Sequence, residues 1–320
     1  MRGLLVVNPK ATTTSPRVTD VLIHALADEL DLDVTVTNYR GHGFALGAQA
    51  RTQELDVVLT LGGDGVVNEV VNGMLIDGPG PKVPMLATVP GGSGNVFARA
   101  LGLPNDPVEA TGQLLDALRE RRFQTIGLGT VTGLDSAGTV DPQPIRWFTA
   151  NAGVGLDAEI ISAMEHLRGS GETATPTRYL RTALHAFFLR TDRKHPALTL
   201  HRAGTDPVTG VFMAVVQNTS PWTYFGTWPI DPCPQATFET GLDIFALRAM
   251  RVAAAMRAAR RMVMSSRAGS SRKAMVVWHD QSQFTITADR PIPIQIDGES
   301  GGQVTEVTFT SVPAALRAMV

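Results

Sequence analysis

The sequence has little cysteine, little net charge and no long apolar run, and each shortage excludes a class of protein. Cys233 is the only cysteine in 320 residues, which leaves no intramolecular disulfide and no Cys-rich zinc site and agrees with a reducing cytoplasm. The formal net charge is −2, so the chain as a whole is not drawn to nucleic acid or to a membrane surface. No nucleic-acid partner is expected, and any attraction to lipid must be local. No stretch of 18 apolar residues occurs, and "MRGLLVVNPK" places only four apolar residues before Asn8 and Pro9. That is too few for a signal peptide or a spanning helix, so a soluble protein is expected. With 43% apolar and 18% charged residues the chain is globular rather than disordered, and its length makes two domains the expectation.

From residue 3 to about 122, strand-like and helix-like segments alternate. "GLLVVN", "DVTVT", "DVVLTLG" and "VPMLATVP" read as strands. Helices are expected over Thr19 to Leu30, with Val21, Leu22, Ala25, Leu26 and Leu30 on one side, over Phe44 to Glu54, and through "VVNEVVNGML", "NVFARALG" and "PVEATGQLLDALRE". Such alternation predicts a Rossmann-like α/β domain over residues 1–123, with a parallel sheet covered on both faces. After Arg122 the chain breaks into short β-rich runs separated by Gly, Pro and Asp, with period-two alternation in Phe284, Ile286 and Ala288. A second, mainly antiparallel β-sandwich domain is expected over residues 124–320, whose last residues can return to the first domain. Three helical insertions are expected in it, at about residues 158–167, 177–189 and 250–265.

Two glycine loops lie where the first domain's strands pass into helices. "GGDG" follows the strand ending at Leu61, and "PGGSGN" follows the one ending at Val89. Glycines permit close backbone approach, and the amides at a helix start bind anions, so both loops suit a polyphosphate. Each is also readable as a plain strand-to-helix turn with Asp64 or Ser93 as a cap. Neither matches the "GxxxxGK[ST]" or "GxGxxG" pattern. An aspartate beside a phosphate is unfavourable unless a cation or proton intervenes, so Asp64 is a candidate magnesium ligand or proton acceptor.

In combination, "GGDGVVNEVVNG" at 62–73, "PGGSGNVFARALGLP" at 90–104, "VNPKA" at 7–11, "NAGVGLDAEI" at 151–160 and "QIDGES" at 295–300 resemble the diacylglycerol kinase catalytic family. These are bacterial lipid kinases related to sphingosine kinases. "GGDG" alone is shared with NAD kinases and phosphofructokinases. The resemblance implies an NAD kinase/diacylglycerol kinase-like fold, with ATP held in a cleft between the nucleotide-binding domain and the lipid-binding one, and Mg2+ as the accompanying ion. Carried over residue by residue, it implies nucleotide contacts from Asn8, Pro9, Lys10, Ala11 and Thr12, and from Thr37. Further contacts come from Gly62, Gly63, Asp64, Gly65, Val66, Val67, Asn68 and Glu69, and from Gly92, Ser93 and Asn95. Glu299 falls on the proton acceptor and Asp64 is the competing base, so both are expected to be catalytic, flanking Mg2+ and the attacking hydroxyl; Asp64 and Asp297 are the candidate metal ligands. Read without the family, "IDGES" is first a hairpin turn.

The chain departs from the family pattern in several places. Val66 stands where a threonine commonly follows "GGDG", Asn95-Val96 where Asn-Asp is usual, and Gly127 where many members carry an aspartate. In "TFETG", Thr240 takes the place of the key aspartate of a structural magnesium site and leaves Glu239 as the nearest carboxylate. A catalytically impaired ATP-binding sensor is therefore an alternative to a kinase, and a soluble small-molecule kinase is another. The charge distribution leaves two readings open, a basic helix on a lipid surface and a solvated surface helix covering the sheet. No acidic residue occurs from Ile244 to His279, while Arg248, Arg251, Arg257, Arg260, Arg261, Arg267, Arg272 and Lys273 all do. A basic amphipathic helix within residues 248–273 suits an anionic membrane surface. "SPWTYFGTWP" adds Trp222, Tyr224, Phe225 and Trp228, readable as an acyl pocket, an interfacial loop or core filling. The expectation is a cytoplasmic, peripherally membrane-associated kinase acting on diacylglycerol, with its oligomeric state left open, a homodimer included.

Overall fold

The computed structural model describes residues 1–9, 11, 15–134, 145–155, 195–225, 228–248 and 274–320. The expected helices at 158–167, 177–189 and 250–265, the basic stretch beyond Arg248, and the candidate residues Lys10 and Thr12 lie outside them. The chain forms two compact units, one of Met1–Leu128 with Pro313–Val320 and one of Gly129–Val312. The division falls within the strand Phe123–Thr132, which begins at the position where the sequence changes texture.

The first unit alternates as expected: β1 (Arg2–Val7), α1 (Pro16–Ala27), β2 (Asp31–Val36), α2 (His42–Thr52), β3 (Val57–Gly62), α3 (Asp64–Met74), β4 (Met85–Pro90), α4 (Val96–Ala100) and α5 (Pro107–Glu120). Its strands are parallel in the order β2-β1-β3-β4. The end of the chain joins beside β4, with Ala318 opposite Leu86. Every residue of β3 is buried, as a strand covered on both faces requires, and the Thr60 and Thr88 hydroxyls satisfy each other at 3.0 Å inside that layer. Two helices differ from their sequence expectation. α1 starts three residues early because the Ser15 side chain accepts from the Val18 amide and Pro16 pre-sets the first turn. Only Leu22 and Leu26 of its apolar residues are buried, and Val21 is 62% exposed. α2 starts at His42 rather than Phe44, after Gly41 in the left-handed conformation.

α2 and α3 meet almost backbone to backbone. A Cβ on Gly47 would lie 2.3 Å from the Val70 carbonyl oxygen, and one on Gly73 would lie 2.0 Å from that of Phe44. Glycine at these positions is a packing requirement, and it fixes α3, with the loop that opens it, against α2.

In the second unit, the chain from Phe123–Thr132 (β5) runs through β6 (Arg146–Phe148), β7 (Asn151–Gly155), β8 (Leu198–His201), β9 (Val208–Val211), β10 (Met213–Gln217), β11 (Thr223–Phe225), β12 (Trp228–Ile230), β13 (Leu242–Leu247), β14 (Met275–Gln281), β15 (Gln283–Ile296) and β16 (Glu299–Met319). The main sheet is antiparallel in the order β14-β13-β10-β7-β15-β16. One face buries Phe148, Phe284 and Phe309 among aliphatic side chains, with Phe284 and Phe309 stacked at 5.3 Å. The aromatic segment divides. Trp222 packs partly buried beside Cys233, whereas Trp228, in the β11–β12 hairpin, is 67% exposed.

Candidate functional site

In the first unit, three chain segments leave the carboxyl ends of β1, β3 and β4 and converge. The Asn8 amide donates to the Leu61 carbonyl at 2.9 Å, and Asn8 closes a turn by accepting from the Ala11 amide at 3.0 Å. The Gly91 amide donates to the Gly62 carbonyl at 2.7 Å. A Cβ on Gly92 would lie 2.7 Å from the Gly63 α-carbon, and one on Gly91 would lie 2.9 Å from that of Gly62. The glycines of "GGDG" and "PGGSGN" thus serve first to press two loops together, a reason that neither the turn nor the phosphate reading supplied. Thr37 follows β2 beside the end of β1, its amide and hydroxyl both donating to the Val7 carbonyl, at 2.8 and 3.4 Å.

Asp64 opens α3 behind the cap residue Gly63, but its carboxylate caps a different helix. Oδ2 accepts from the Val96 amide at 3.1 Å and Oδ1 from the Phe97 amide at 3.0 Å. These are first-turn amides of α4, whose own cap residue, Asn95, is left-handed and makes no side-chain cap bond. Asn95 instead locks the second glycine loop. It accepts from the Gly92 amide at 2.9 Å, and its Nδ2 donates to the Gly92 carbonyl at 2.7 Å and to Asn105 at 2.8 Å. Ser93 at the loop tip is exposed. α3 begins at Asp64 behind Gly63, and a helix start carries partial positive charge.

Other expected nucleotide contacts turn inward. Val66 is 6% exposed and lies on the side of Gly62 that a Cβ would occupy; its isopropyl group therefore faces packed backbone. Glu69 accepts from the Gly41 amide at Oε1 and the Gly43 amide at Oε2, both at 2.9 Å, so it caps α2. Asn68 and Asn72 bond each other one helical turn apart, and both are buried. Val67 is 2% exposed. Sequence reasoning missed the Glu69 cap because donor and acceptor lie 26 and 28 residues apart and no local pattern joins them.

In the second unit, Asp297 and Gly298 form the turn between β15 and β16, with φ of 47° and 81° and Ile296 opposite Glu299. Two consecutive left-handed residues make a two-residue hairpin of the primed type, which "DG" favours. The turn reading of "IDGES" is therefore correct, and it leaves the role of Glu299 open. The buried Asp297 carboxylate accepts four bonds: the Thr149 amide at 2.7 Å and hydroxyl at 2.9 Å on Oδ2, and the Ala150 and Asn151 amides at 2.9 and 3.0 Å on Oδ1. Both carboxylate oxygens thus accept from the chain that follows β6. Asp297 is an anchor that brings the chain following β6 to the hairpin. Arg146 of β6 then faces Glu299 at 3.8 Å, both side chains about one-fifth exposed. Sequence reasoning did not single out Arg146.

Asp64 and Asp297, the residues expected to hold magnesium, both accept from backbone amides, Asp64 through one bond on each oxygen and Asp297 through two, one of them from the Thr149 hydroxyl. Among the described residues no three His, Cys, Asp or Glu side chains cluster as a metal site. In the "TFETG" segment, the Thr240 hydroxyl closes a turn onto the Thr237 carbonyl at 3.2 Å, and Glu239 is exposed.

Asp297 also ends a polar row across four strands. Asp243 lies opposite Gln217, Gln217 opposite Asn151, and Asn151 accepts from the Asp297 amide at 2.8 Å. Burial raises the Asp243 pKa, although the Asp280 amide at 3.0 Å and the His279 ring at 2.7 Å both donate to its Oδ1 and work against the shift. A raised folded-state pKa means that the ionised carboxylate costs stability above that pKa, and that this cost disappears as pH falls through the window down to the ordinary carboxylate value. Asp243→Asn keeps an acceptor at Oδ1 and removes the charge. The variant is expected to match or exceed wild-type stability at neutral pH, with the difference closing on acidification. Urea unfolding at a series of pH values checks this, and a variant that falls behind most at neutral pH would contradict it.

Residues 2–131 match the model of the diacylglycerol kinase catalytic domain, the family to which the motifs point. The chain is 39% identical over 72 residues to a diacylglycerol kinase of Bacillus subtilis, covering 22% of this chain and 23% of that one. It is 25% identical over 327 residues to a Stenotrophomonas maltophilia protein named "Probable lipid kinase YegS-like", covering 99% and 95%. The match therefore spans about a quarter of the first relative's length and nearly all of the second's. A diacylglycerol kinase structure from Bacillus anthracis superposes with a TM-score of 0.70 at 18% identity, over 99% of this chain and 96% of that one, which establishes the shared fold. A parallel-sheet N-terminal region followed by a mainly antiparallel sheet is what the sequence led us to expect.

Proposed function

We propose, from the premise that residues 2–131 match the diacylglycerol kinase catalytic domain, that this chain is a lipid kinase. It moves the γ-phosphoryl group of ATP to the hydroxyl of diacylglycerol, giving phosphatidate. The observation that carries the reading is the convergence of the β1, β3 and β4 loops at the start of α3. Backbone amides at such a position suit a polyphosphate without any charged side chain. Asn8, Pro9, Lys10, Ala11 and Thr12, Gly63 to Val66, and Ser93 would hold the nucleotide, which supplies the phosphoryl group. Glu69, Asn68 and Asn95 serve it at one remove by fixing the loops and helices around it. Magnesium enters as an ion carried by the nucleotide phosphates, and no step depends on a protein cage for it.

Glu299 acts as the general base. As the lipid oxygen bonds to phosphorus, its proton passes to the Glu299 carboxylate and ADP leaves. Asp64 is retained as a candidate base or metal partner, secondary to its capping role. The exposed Trp228 suits a lipid interface, and residues 248–273 carry the basic charge for an anionic membrane surface. No helix among the described residues is long and apolar enough to cross a membrane, in keeping with a peripheral mode of attachment.

The test is transfer of labelled γ-phosphate from ATP into diacylglycerol in anionic vesicles. Glu299→Gln should lower turnover by about 100-fold or more with nucleotide binding retained. Unchanged turnover would remove Glu299 from the proton-accepting role. ATP binding with no product from any lipid would replace the kinase by a sensor, and activity on soluble alcohols without vesicles would favour a small-molecule kinase.

A further inference from the structure

The turn after β2 carries a feature that the phosphate loops do not use. Tyr39 and His42 stack with ring centroids 4.7 Å apart and planes 14° from parallel. Tyr39 is 62% exposed, so the ring face turned away from His42 is open to solvent. The pair is held rather than loose. The Asn38 amide donates to His42 Nδ1 at 3.2 Å; because an amide only donates, Nδ1 is the unprotonated nitrogen and the ring is fixed in one tautomer. The His42 amide donates to the Tyr39 carbonyl at 3.2 Å. On either side, the Gly41 and Gly43 amides bond Glu69 of α3 at 2.9 Å. The stacked rings are thus tied to the helix whose start carries "GGDG".

Position adds the second argument. β2 lies beside β1, which lies beside β3, so the carboxyl ends of β2 and β3 are two strand spacings apart, about 10 Å. That is the reach of a nucleotide from its phosphates to its base. In open parallel sheets ligands bind outside the carboxyl ends of the strands, where the Tyr39 turn and the glycine loops both lie.

We propose that the open face of Tyr39, backed by His42, is the platform on which the nucleotide base stacks while the glycine loops take the phosphates. The assignment rests on the nucleotide reading given above. Base-on-aromatic stacking is strong enough to matter and tolerant of base identity, which makes Tyr39 a determinant of affinity for nucleosides rather than for phosphate.

Calorimetric titration with ATP and with inorganic tripolyphosphate separates the two. Tyr39→Ala should weaken ATP about tenfold and leave tripolyphosphate binding unchanged, while Tyr39→Phe, which keeps the ring, should bind ATP as wild type does. Tyr39 is exposed, so the alanine variant is expected to fold, and circular dichroism checks that it does. Wild-type affinity for ATP in Tyr39→Ala, or equal losses for ATP and tripolyphosphate, would overturn the platform while leaving the phosphate loops in place. A wild-type protein that binds neither probe would overturn the nucleotide reading and the platform with it.

Discussion

Asp297→Ala should lower the unfolding free energy by about 3–5 kcal/mol, the range for removing one partner from a buried, hydrogen-bonded charged site. Four donors around a side chain that is 6% exposed lose their acceptor at once. Asp297→Asn is the sharper variant, because asparagine tolerates the left-handed φ of 47°. Its backbone cost is small, yet its NH2 must face amides that had donated to oxygen, so most of the loss should persist. Urea unfolding gives the midpoint and slope. A midpoint for Asp297→Asn equal to wild type would show that the four contacts contribute little. Because this anchor also sets where Glu299 lies relative to Arg146, phosphotransfer should fall in both variants.

The second large effect is expected at Asp64. Asp64→Ala removes the acceptor for two α4 amides, each charge-assisted bond contributing about 1.5–3 kcal/mol, and it unties the two glycine loops at one of their cross-links. Nucleotide affinity and phosphotransfer should both drop by about 100-fold. Asp64→Asn offers one oxygen in place of two and should fall between. If the asparagine variant binds ATP as tightly as wild type and fails only in turnover, the cap is secondary and the carboxylate takes part in the chemistry. Parallel losses in both measurements would assign Asp64 to the architecture of the loops.

Much of the local structure around the candidate site was legible in the sequence, for a local reason. The glycine loops, the turn at Asn8 and the hairpin at Asp297-Gly298 are each specified within a few residues. Backbone conformation and strand-to-helix order are set by neighbours along the chain. The α5 boundaries were legible for the same reason, with Asp106 accepting from the Val108 and Glu109 amides and Pro107 in the first turn. Roles that depend on distant partners were not legible. Glu69 sits inside a motif that suggests ligand contact, yet it caps α2. Val66 reads as a missing hydroxyl, yet it packs against Gly62. Val21 falls on the apolar stripe of α1 but faces solvent.

The sequence by itself determined the order of elements, the placement of glycine-rich turns at strand ends and the run of basic residues from Arg248 to Lys273, because these depend on near-neighbour sterics and on composition. Only the tertiary structure decided what each carboxylate does. A carboxylate is spoken for when amides converge on it, and whether they converge depends on chain segments far apart in sequence: Asp64 with Val96 and Phe97, Glu69 with Gly41 and Gly43, Asp297 with Thr149 to Asn151.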